Sequence, residues 1–456
     1  MQIKNFGKKL LEKAGIKSGR TKNITKHVLL SSIYKGGHII CSFLLVPLTI
    51  DFLDTENYGV WLTLSSFIAW FSFFDIGLGN GLRNKFAAAK ATNNLEFAKG
   101  YVSTAYYSIG SICVIFFLLS LAVGYWVDWT NIFNTSVAMK HQLQLLMPVV
   151  FGCFSLQLVL KLITSVYVGD QNHSINGKIS FLSAALSLLI VWVLTQTAHS
   201  SLLLFGVIFS ALPVIVLLAL NVYAFTGRYK EYRPKFVFWK NLYFKDIFGL
   251  GISFFVIQIS VLVLFSTDNF IITQLFGPAE VVPYNVAYKY MGISNMIFTI
   301  LLTPYWSSIT EAYAKGELGW IKKAMKNLMK FMIGIMLVII LLVLCSSWAY
   351  EIWLGDKVII PFGLTLSMAL FFMITMGYAP FNFFINGVGK IRLHMVTFLI
   401  AALLNIPLSI FLVKITGWGV SAVILATAIC VLPNLILFPI QYFKLINMRA
   451  QGIWNK

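Results

Sequence analysis

Ser201 to Phe225 reads SLLLFGVIFSALPVIVLLALNVYAF, with no charged residue, and Thr226 to Asp246 follows as TGRYKEYRPKFVFWKNLYFKD. A hydrocarbon core about 30 Å thick is crossed by roughly 20 helical residues, so the first stretch predicts a transmembrane helix. The second carries Arg228, Lys230, Arg233, Lys235, Lys240 and Lys245. Lys and Arg accumulate on the cytoplasmic side of membrane proteins, so the span ends inside the cell. The basic stretch also falls at the midpoint of the 456 residues, which makes it the natural linker between two halves.

The rest of the chain follows the same alternation. Only 11% of residues are charged, 59% are hydrophobic, and the mean hydropathy is +0.82. A soluble chain carries roughly a quarter of its residues as Asp, Glu, Lys and Arg. A chain this poor in charge cannot cover a water-facing surface, so lipid covers much of it. Windows of spanning length lie near 28–50, 58–80, 101–126, 143–168, 178–196 and 201–225, then near 247–272, 284–309, 328–350, 359–383, 392–413 and 418–442. The expected fold is therefore all-α and integral to the membrane, with twelve helices.

Orientation follows from the basic residues. With the N-terminus inside, 29 of the 35 Lys and Arg fall in cytoplasmic segments, and only Lys140, Lys357 and Lys414 fall in outer loops. A missed or invented helix would scramble that split, so it supports both the count and cytoplasmic termini. The net charge of +19 thus marks orientation rather than nucleic-acid binding. Residues 1–27 hold eight basic residues, and the Pro47 to Asp54 segment offers no small-residue cleavage site, so the first span is expected to be retained. The five scattered cysteines read as buried hydrophobes, neither disulfides nor metal ligands. The expected divisions are a basic N-terminus (1–27), a six-helix bundle (28–225), a cytoplasmic linker (226–246), a second bundle (247–442) and a tail (443–456).

Weak internal similarity joins the halves. Phe86-Ala-Ala-Ala-Lys90 after span 2 resembles Glu311-Ala-Tyr-Ala-Lys315 after span 8, and Tyr167-Val-Gly-Asp170 after span 4 sits where Asn386-Gly-Val-Gly-Lys390 follows span 10. The offsets agree, and six intervening spans give both halves one orientation. That predicts a parallel repeat about an axis along the membrane normal, with a path between the bundles.

Charges inside spans are costly, so they are the sharpest functional signal. Five occur: Lys35, Asp75, Lys161, Asp268 and Lys289. Lys35, His38 and Ser42 share a helical face, as do Gln157, Lys161 and Thr164. The longest polar stripe runs through Asn285, Lys289, Gly292, Asn295, Thr299 and Thr303. Such stripes should face a wet interior. Two readings stand open. Lys35 pairs with Asp75 and Lys289 with Asp268, holding helices in register; or Lys35, Lys161 and Lys289 make a cationic lumen for an anionic head group. His38 reads as a helix-packing residue or as a proton relay, and Asp75, Asp268 and His38 are the candidate charge-partner or coupling residues. Asp75 to Arg83, Asp-Ile-Gly-Leu-Gly-Asn-Gly-Leu-Arg, is either a helix C-terminal turn in which glycines permit close packing, or part of a cytoplasmic gate through Arg83. No nucleotide-binding, nucleophile or metal motif occurs, so no cofactor is expected.

The run Asn57-Tyr-Gly-Val-Trp-Leu-Thr-Leu-Ser-Ser66, then Trp70, then Asp75 to Lys85, resembles the polysaccharide transporter family, the repeat-unit flippases of the Wzx type. The resemblance is most specific over 57–90, and the length and span count extend it over the whole chain. It implies a V-shaped pair of six-helix bundles alternating access across the bacterial inner membrane, as in the wider superfamily that includes multidrug extruders. It implies an undecaprenyl-diphosphate-linked oligosaccharide as substrate, for O-antigen or related lipopolysaccharide biosynthesis. A polymerase and a chain-length regulator of the same pathway are the implied partners. The diphosphate suits a cationic lumen, and Tyr284, Asn285, Tyr288 and Asn295 suit sugar. Ion-coupled antiport is the suspected energy source of such transporters, although no ion site is named by the residues.

Two other readings compete. A multidrug or toxin antiporter would favour an acidic or aromatic cavity, whereas the intramembrane charges here favour lysine. A membrane polymerase or glycosyltransferase would be expected to carry a large outer loop, and every predicted outer loop is short.

Overall fold

The computed structural model describes residues 19–69, 73–170, 172, 174–248 and 252–455. Helices and short helical turns account for all the regular structure among them. Among the described residues ten helices are long and apolar enough to cross a membrane. Ile33–Ile68 is one of these; the window expected near 28–50 falls largely within it, and the window expected near 58–80 overlaps it only over 58–68. The window near 284–309 falls in a 34-residue helix outside the ten, because its polar stripe lowers its hydropathy. Residues 1–18 and Trp70 lie outside the described residues, as do the side chains of Asp75 and Thr303.

The described residues divide into two units. The first draws on Met1–Leu53, Phe74–Trp129 and Ala138–Gly251, the second on Asp54–Phe73, Thr130–Val137 and Ile252–Lys456.

The opening helix, α1 (Gly19–Ala69), therefore contributes to both units, and the reason is local. Asp54 takes φ 67°, breaking the helical path. Its carboxylate accepts the backbone N–H of Asn57 at 2.9 Å and the Asn57 amide at 2.7 Å. This is N-capping chemistry: the side chain satisfies a donor that the first turn of a helix leaves free. A new helical limb thus starts at Asp54 without a loop.

In the first unit, α2 (Phe73–Ala91), α3 (Leu95–Trp126), α4 (Lys140–Gly169), α5 (Ile175–Thr197) and α6 (Leu202–Thr226) follow. The closest packing joins α3 to α4 and α4 to α6. Asn221 of α6 binds three elements at once: it accepts from the Tyr106 hydroxyl of α3 at 2.7 Å and donates to the Leu160 carbonyl of α4 at 2.8 Å and to its own helix. Between helices in lipid, where apolar contact alone gives little preference, such hydrogen bonds set the register. The stretch Asp75 to Arg83 does not end a helix as one reading expected; α2 runs on to Ala91. Gly81 instead lets α7 (Asn241–Phe248) approach, since a Cβ there would collide with the Ile247 carbonyl.

The second unit holds α8 (Ile252–Phe276), α9 (Val281–Ala314), α10 (Leu318–Leu344), α11 (Phe362–Val388), α12 (Arg392–Thr416), α13 (Ser421–Val431) and α14 (Asn434–Ile446). Its core gathers Met291 and Phe298 of α9, Phe371, Phe372 and Phe384 of α11, and Phe438 of α14. Leu337, Leu341 and Leu344 on α10 and Ile400 and Leu403 on α12 stay exposed. Apolar rows facing outward over a partly polar interior are what a lipid solvent requires.

The second limb of α1 is fastened to this unit at its tightest point. Gly59 lies against the backbone of Pro278, where a Cβ would overlap the carbonyl, and one turn later Thr63 meets Thr273 of α8 at 2.6 Å. Gly59→Ala should therefore force the limb away and destabilise the unit by about 1–3 kcal/mol, the usual range for overpacking. A lowered unfolding temperature of the detergent-solubilised protein is the expected reading, and an unchanged one would remove Gly59 as the fastening point.

Candidate functional site

The site builds from one carboxylate. Asp268 lies on α8 at 1% exposure, inside a predicted span. Tyr284, in the first turn of α9, donates its hydroxyl to Oδ2 at 2.5 Å. The Thr427 hydroxyl of α13 stands 3.3 Å from both carboxylate oxygens and accepts the Asn405 amide of α12 at 2.8 Å. Four helices thus converge on Asp268. Among the described residues no ammonium or guanidinium group pairs with it. The expected Lys289–Asp268 pair is replaced by hydroxyl donors, and Lys289 sits half-buried further along α9.

A second polar layer adjoins the first. Asn269 and Asn285 exchange hydrogen bonds at 2.8 and 3.5 Å, and Asn269 reaches Ser66 on the second limb of α1 at 2.7 Å. Tyr288, one turn from Tyr284, stacks beside it and rests on Phe371 and Phe372. Asn405 Oδ1 and Ser409 Oγ, both buried on α12, find no hydrogen-bond partner among the described residues. A buried polar oxygen without a partner is costly, so these two mark α12 as a place where a further donor or a cation would be stabilising. Among the described residues no three His, Cys, Asp or Glu come together as a metal centre.

The first unit carries a clasp at the end of α4. Asp170, at the end of α4, accepts from Lys90 of α2, from Arg228 at 2.5 Å and from the Tyr229 hydroxyl at 2.8 Å. Burial, then the Asp170 carboxylate, push the Tyr229 phenol well above its ordinary range, so it remains a donor at any physiological pH. The midpoint linker expected from the sequence is thus a strap fixed to the first unit. A comparable clasp closes the second unit. There Gln441 of α14 donates to the carbonyls of Lys390 and Trp454, Lys390 reaches the Asn455 carbonyl at 3.0 Å, and Lys444 covers the Trp454 ring. In each unit the segment after the last helix grips the turn that the repeat reading aligned, Asp170 in one and Lys390 in the other.

Most of the remaining sequence candidates belong to the first unit. Lys35 and Lys161 are exposed on α1 and α4 of the first unit, and Arg83 is exposed on α2. His38 points Nδ1 at the Ser180 carbonyl of α5, 3.2 Å away, beside Gly37 packed under Phe181, as a helix-packing residue would. Asn295 is exposed and accepts from Thr299. Thr427 and Asn405 escaped sequence reasoning, each being a lone polar residue in an apolar run. His394, buried against Phe398 and Phe438 with Nδ1 on Asn386, escaped it by falling at a span edge.

Ten apolar helices of membrane-crossing length among the described residues define a multi-pass membrane protein in class. The chain belongs to the polysaccharide biosynthesis protein family, which matches residues 24–310 and so includes the 57–90 stretch. It is 21% identical over 377 residues to a putative O-antigen export protein of Yersinia pseudotuberculosis, covering 81% of this chain and 85% of that one. It is 22% identical to a putative O-antigen transporter of Salmonella typhi, covering 65% and 68%. A multidrug resistance MATE family transporter of the MOP superfamily, solved in an inward-facing conformation, shares the fold with a TM-score of 0.75 at 12% identity, over 92% of this chain and 98% of that one.

Asp170→Ala leaves Lys90, Arg228 and Tyr229 without their common acceptor and should weaken the clasp by about 2 kcal/mol. Limited trypsinolysis of the folded protein is expected to cut after Arg228 or Lys230 several-fold faster in the variant. Equal cutting rates would show that Asp170 does not hold the strap.

Proposed function

We propose that this chain is a flippase carrying undecaprenyl-diphosphate-linked oligosaccharide repeat units, for O-antigen or a related surface polysaccharide, from the cytoplasmic to the periplasmic face of the inner membrane by alternating access. The family match over residues 24–310 carries the proposal, and the two O-antigen transport relatives supply the substrate class. Twelve spans follow when Ile33–Ile68 counts as two limbs parted at Asp54 and α9 is added to the remaining nine. The paired clasps at Asp170 and Lys390 support a parallel repeat of 28–225 and 247–442 about the 226–246 strap, with both termini cytoplasmic. Lys35, Lys161 and Lys289 are the candidate cations for the diphosphate, and Asn285, Tyr288 and Asn295 the candidate sugar contacts.

Asp268 is the proposed coupling group. A carboxylate in a dry interior is costly unless neutralised. Binding a proton or a cation there, and losing it to the other side, ties the packing of α8, α9, α12 and α13 to an ion gradient. Tyr284 and Thr427 hold the carboxylate in place while Asn405 offers a further oxygen.

Deleting the gene in its own cell should make lipid-linked repeat units accumulate facing the cytoplasm and should deplete surface polysaccharide. Plasmid-borne wild type restores export, whereas Asp268→Asn, which keeps shape but not charge, is expected to restore less than a tenth at equal protein level. Normal surface polysaccharide in the deletion strain, with no second flippase present, would sink the assignment. Full rescue by Asp268→Asn would remove only the coupling role.

A further inference from the structure

The strap between α6 and α7 shows two faces. Its inner face is tied to α3 by three side chains that an apolar span does not otherwise need. Ser103 Oγ accepts the Lys235 backbone N–H at 3.1 Å, Thr104 Oγ1 accepts the Lys240 N–H at 3.2 Å, and Ser108 Oγ accepts the Trp239 indole N–H at 3.0 Å. Tyr229 and Tyr243 are buried on the same side, Tyr243 at Gly100, where a Cβ would strike its ring. The outer face is apolar and open: Phe236 is 68% exposed, Val237 86%, Leu242 67% and Trp239 40%.

Depth along α3 says where that face lies. At 1.5 Å per residue, a helix of 32 residues is about 48 Å long, roughly 18 Å more than a hydrocarbon core. The charged residues of α3, Glu96 and Lys99, are at its start, so the excess is assigned to that end; Ser103 to Ser108 stand about 12–20 Å from the start, where the excess helix would give way to hydrocarbon. The strap therefore runs along the headgroup zone, where an aromatic side chain with a polar edge is most stable. Its charges fit the same place. Arg228 is taken by Asp170, Lys240 by Glu96 at 3.3 Å, and Asp246 by Lys85 at 3.5 Å. The Glu96 carboxylate also raises the affinity of Lys240 for its proton. Lys230, Arg233 and Lys235 remain exposed, and among the described residues no carboxylate holds them; Glu231 is the one acidic residue beside them.

We propose that the strap is a membrane-interface anchor, in which Phe236, Val237 and Leu242 enter the headgroup zone and Lys230, Arg233 and Lys235 bind anionic phospholipid head groups of the cytoplasmic leaflet. Only the choice of leaflet rests on the orientation proposed above. A strap seated in this way ties the first unit to one face of the bilayer, so that rearrangements during transport take place against a fixed level.

The test uses the full-length protein with Cys345→Ser and Val237→Cys, labelled with a small fluorophore at the introduced thiol and reconstituted into vesicles of phosphatidylethanolamine with phosphatidylglycerol. Lipid spin-labelled near the head group should quench the fluorophore at least twofold more than aqueous iodide does. In parallel, native mass spectrometry of the detergent-solubilised chain follows bound phosphatidylglycerol. Because each basic residue near an anionic surface contributes about fivefold, Lys230→Gln, Arg233→Gln and Lys235→Gln together should lower that affinity about a hundredfold. Iodide quenching without lipid quenching, or equal binding of phosphatidylglycerol by the triple variant, overturns the anchor. Reaction of the Val237→Cys thiol with an impermeant maleimide in intact spheroplasts would overturn the cytoplasmic assignment and leave the lipid contact to be judged by quenching.

Discussion

A carboxylate buried among helices, with no basic side chain paired to it among the described residues, is the constraint on which the second unit turns. Asp268 is reached by Tyr284, Thr427 and, through Thr427, Asn405, so α8, α9, α12 and α13 share one polar centre. Hydroxyl donors steady a carboxylate but do not cancel its charge. Under the proposed coupling role, the packing of those helices would be linked to whether an ion occupies the site, which is what a coupled transporter needs: a packed element with two arrangements, biased by a ligand that binds them unequally.

The membrane reading was legible because the bilayer permits few solutions. Apolar windows of about 20 residues separated by polar loops predict helices without tertiary detail. The Asp54 break was legible in kind but not in consequence. Its cap to Asn57 is a local signal, whereas the passage of the new limb into the second unit depends on Gly59, Thr63 and Pro278 meeting across the fold. The α9 stripe was recognised as polar, and its first member, Asn285, joins the centre through Asn269, with Tyr284 one position before it on Asp268.

The residues that sequence reasoning passed over have a common cause. Thr427 and Asn405 stand alone in apolar helices, where a single polar residue more often bonds its own backbone. Ser103, Thr104 and Ser108 looked like ordinary small residues in a span and proved to be the seat of the strap. One signal was available for them: three hydroxyls within six residues on neighbouring positions of one helix face, level with a basic and aromatic segment. Asp170, by contrast, was singled out in the sequence by its place in the repeat, and Lys390 answers it in the second unit.

Transport itself is measured most directly in vesicles. The purified protein is reconstituted with a radiolabelled polyprenyl-diphosphate oligosaccharide, an ion gradient is imposed, and the fraction of sugar open to an external glycosidase is followed with time. The account predicts that wild type moves substrate between leaflets at a rate that depends on the gradient, while Asp268→Asn vesicles stay near the protein-free rate. Gradient-independent movement, or equal rates for the two proteins, would contradict it.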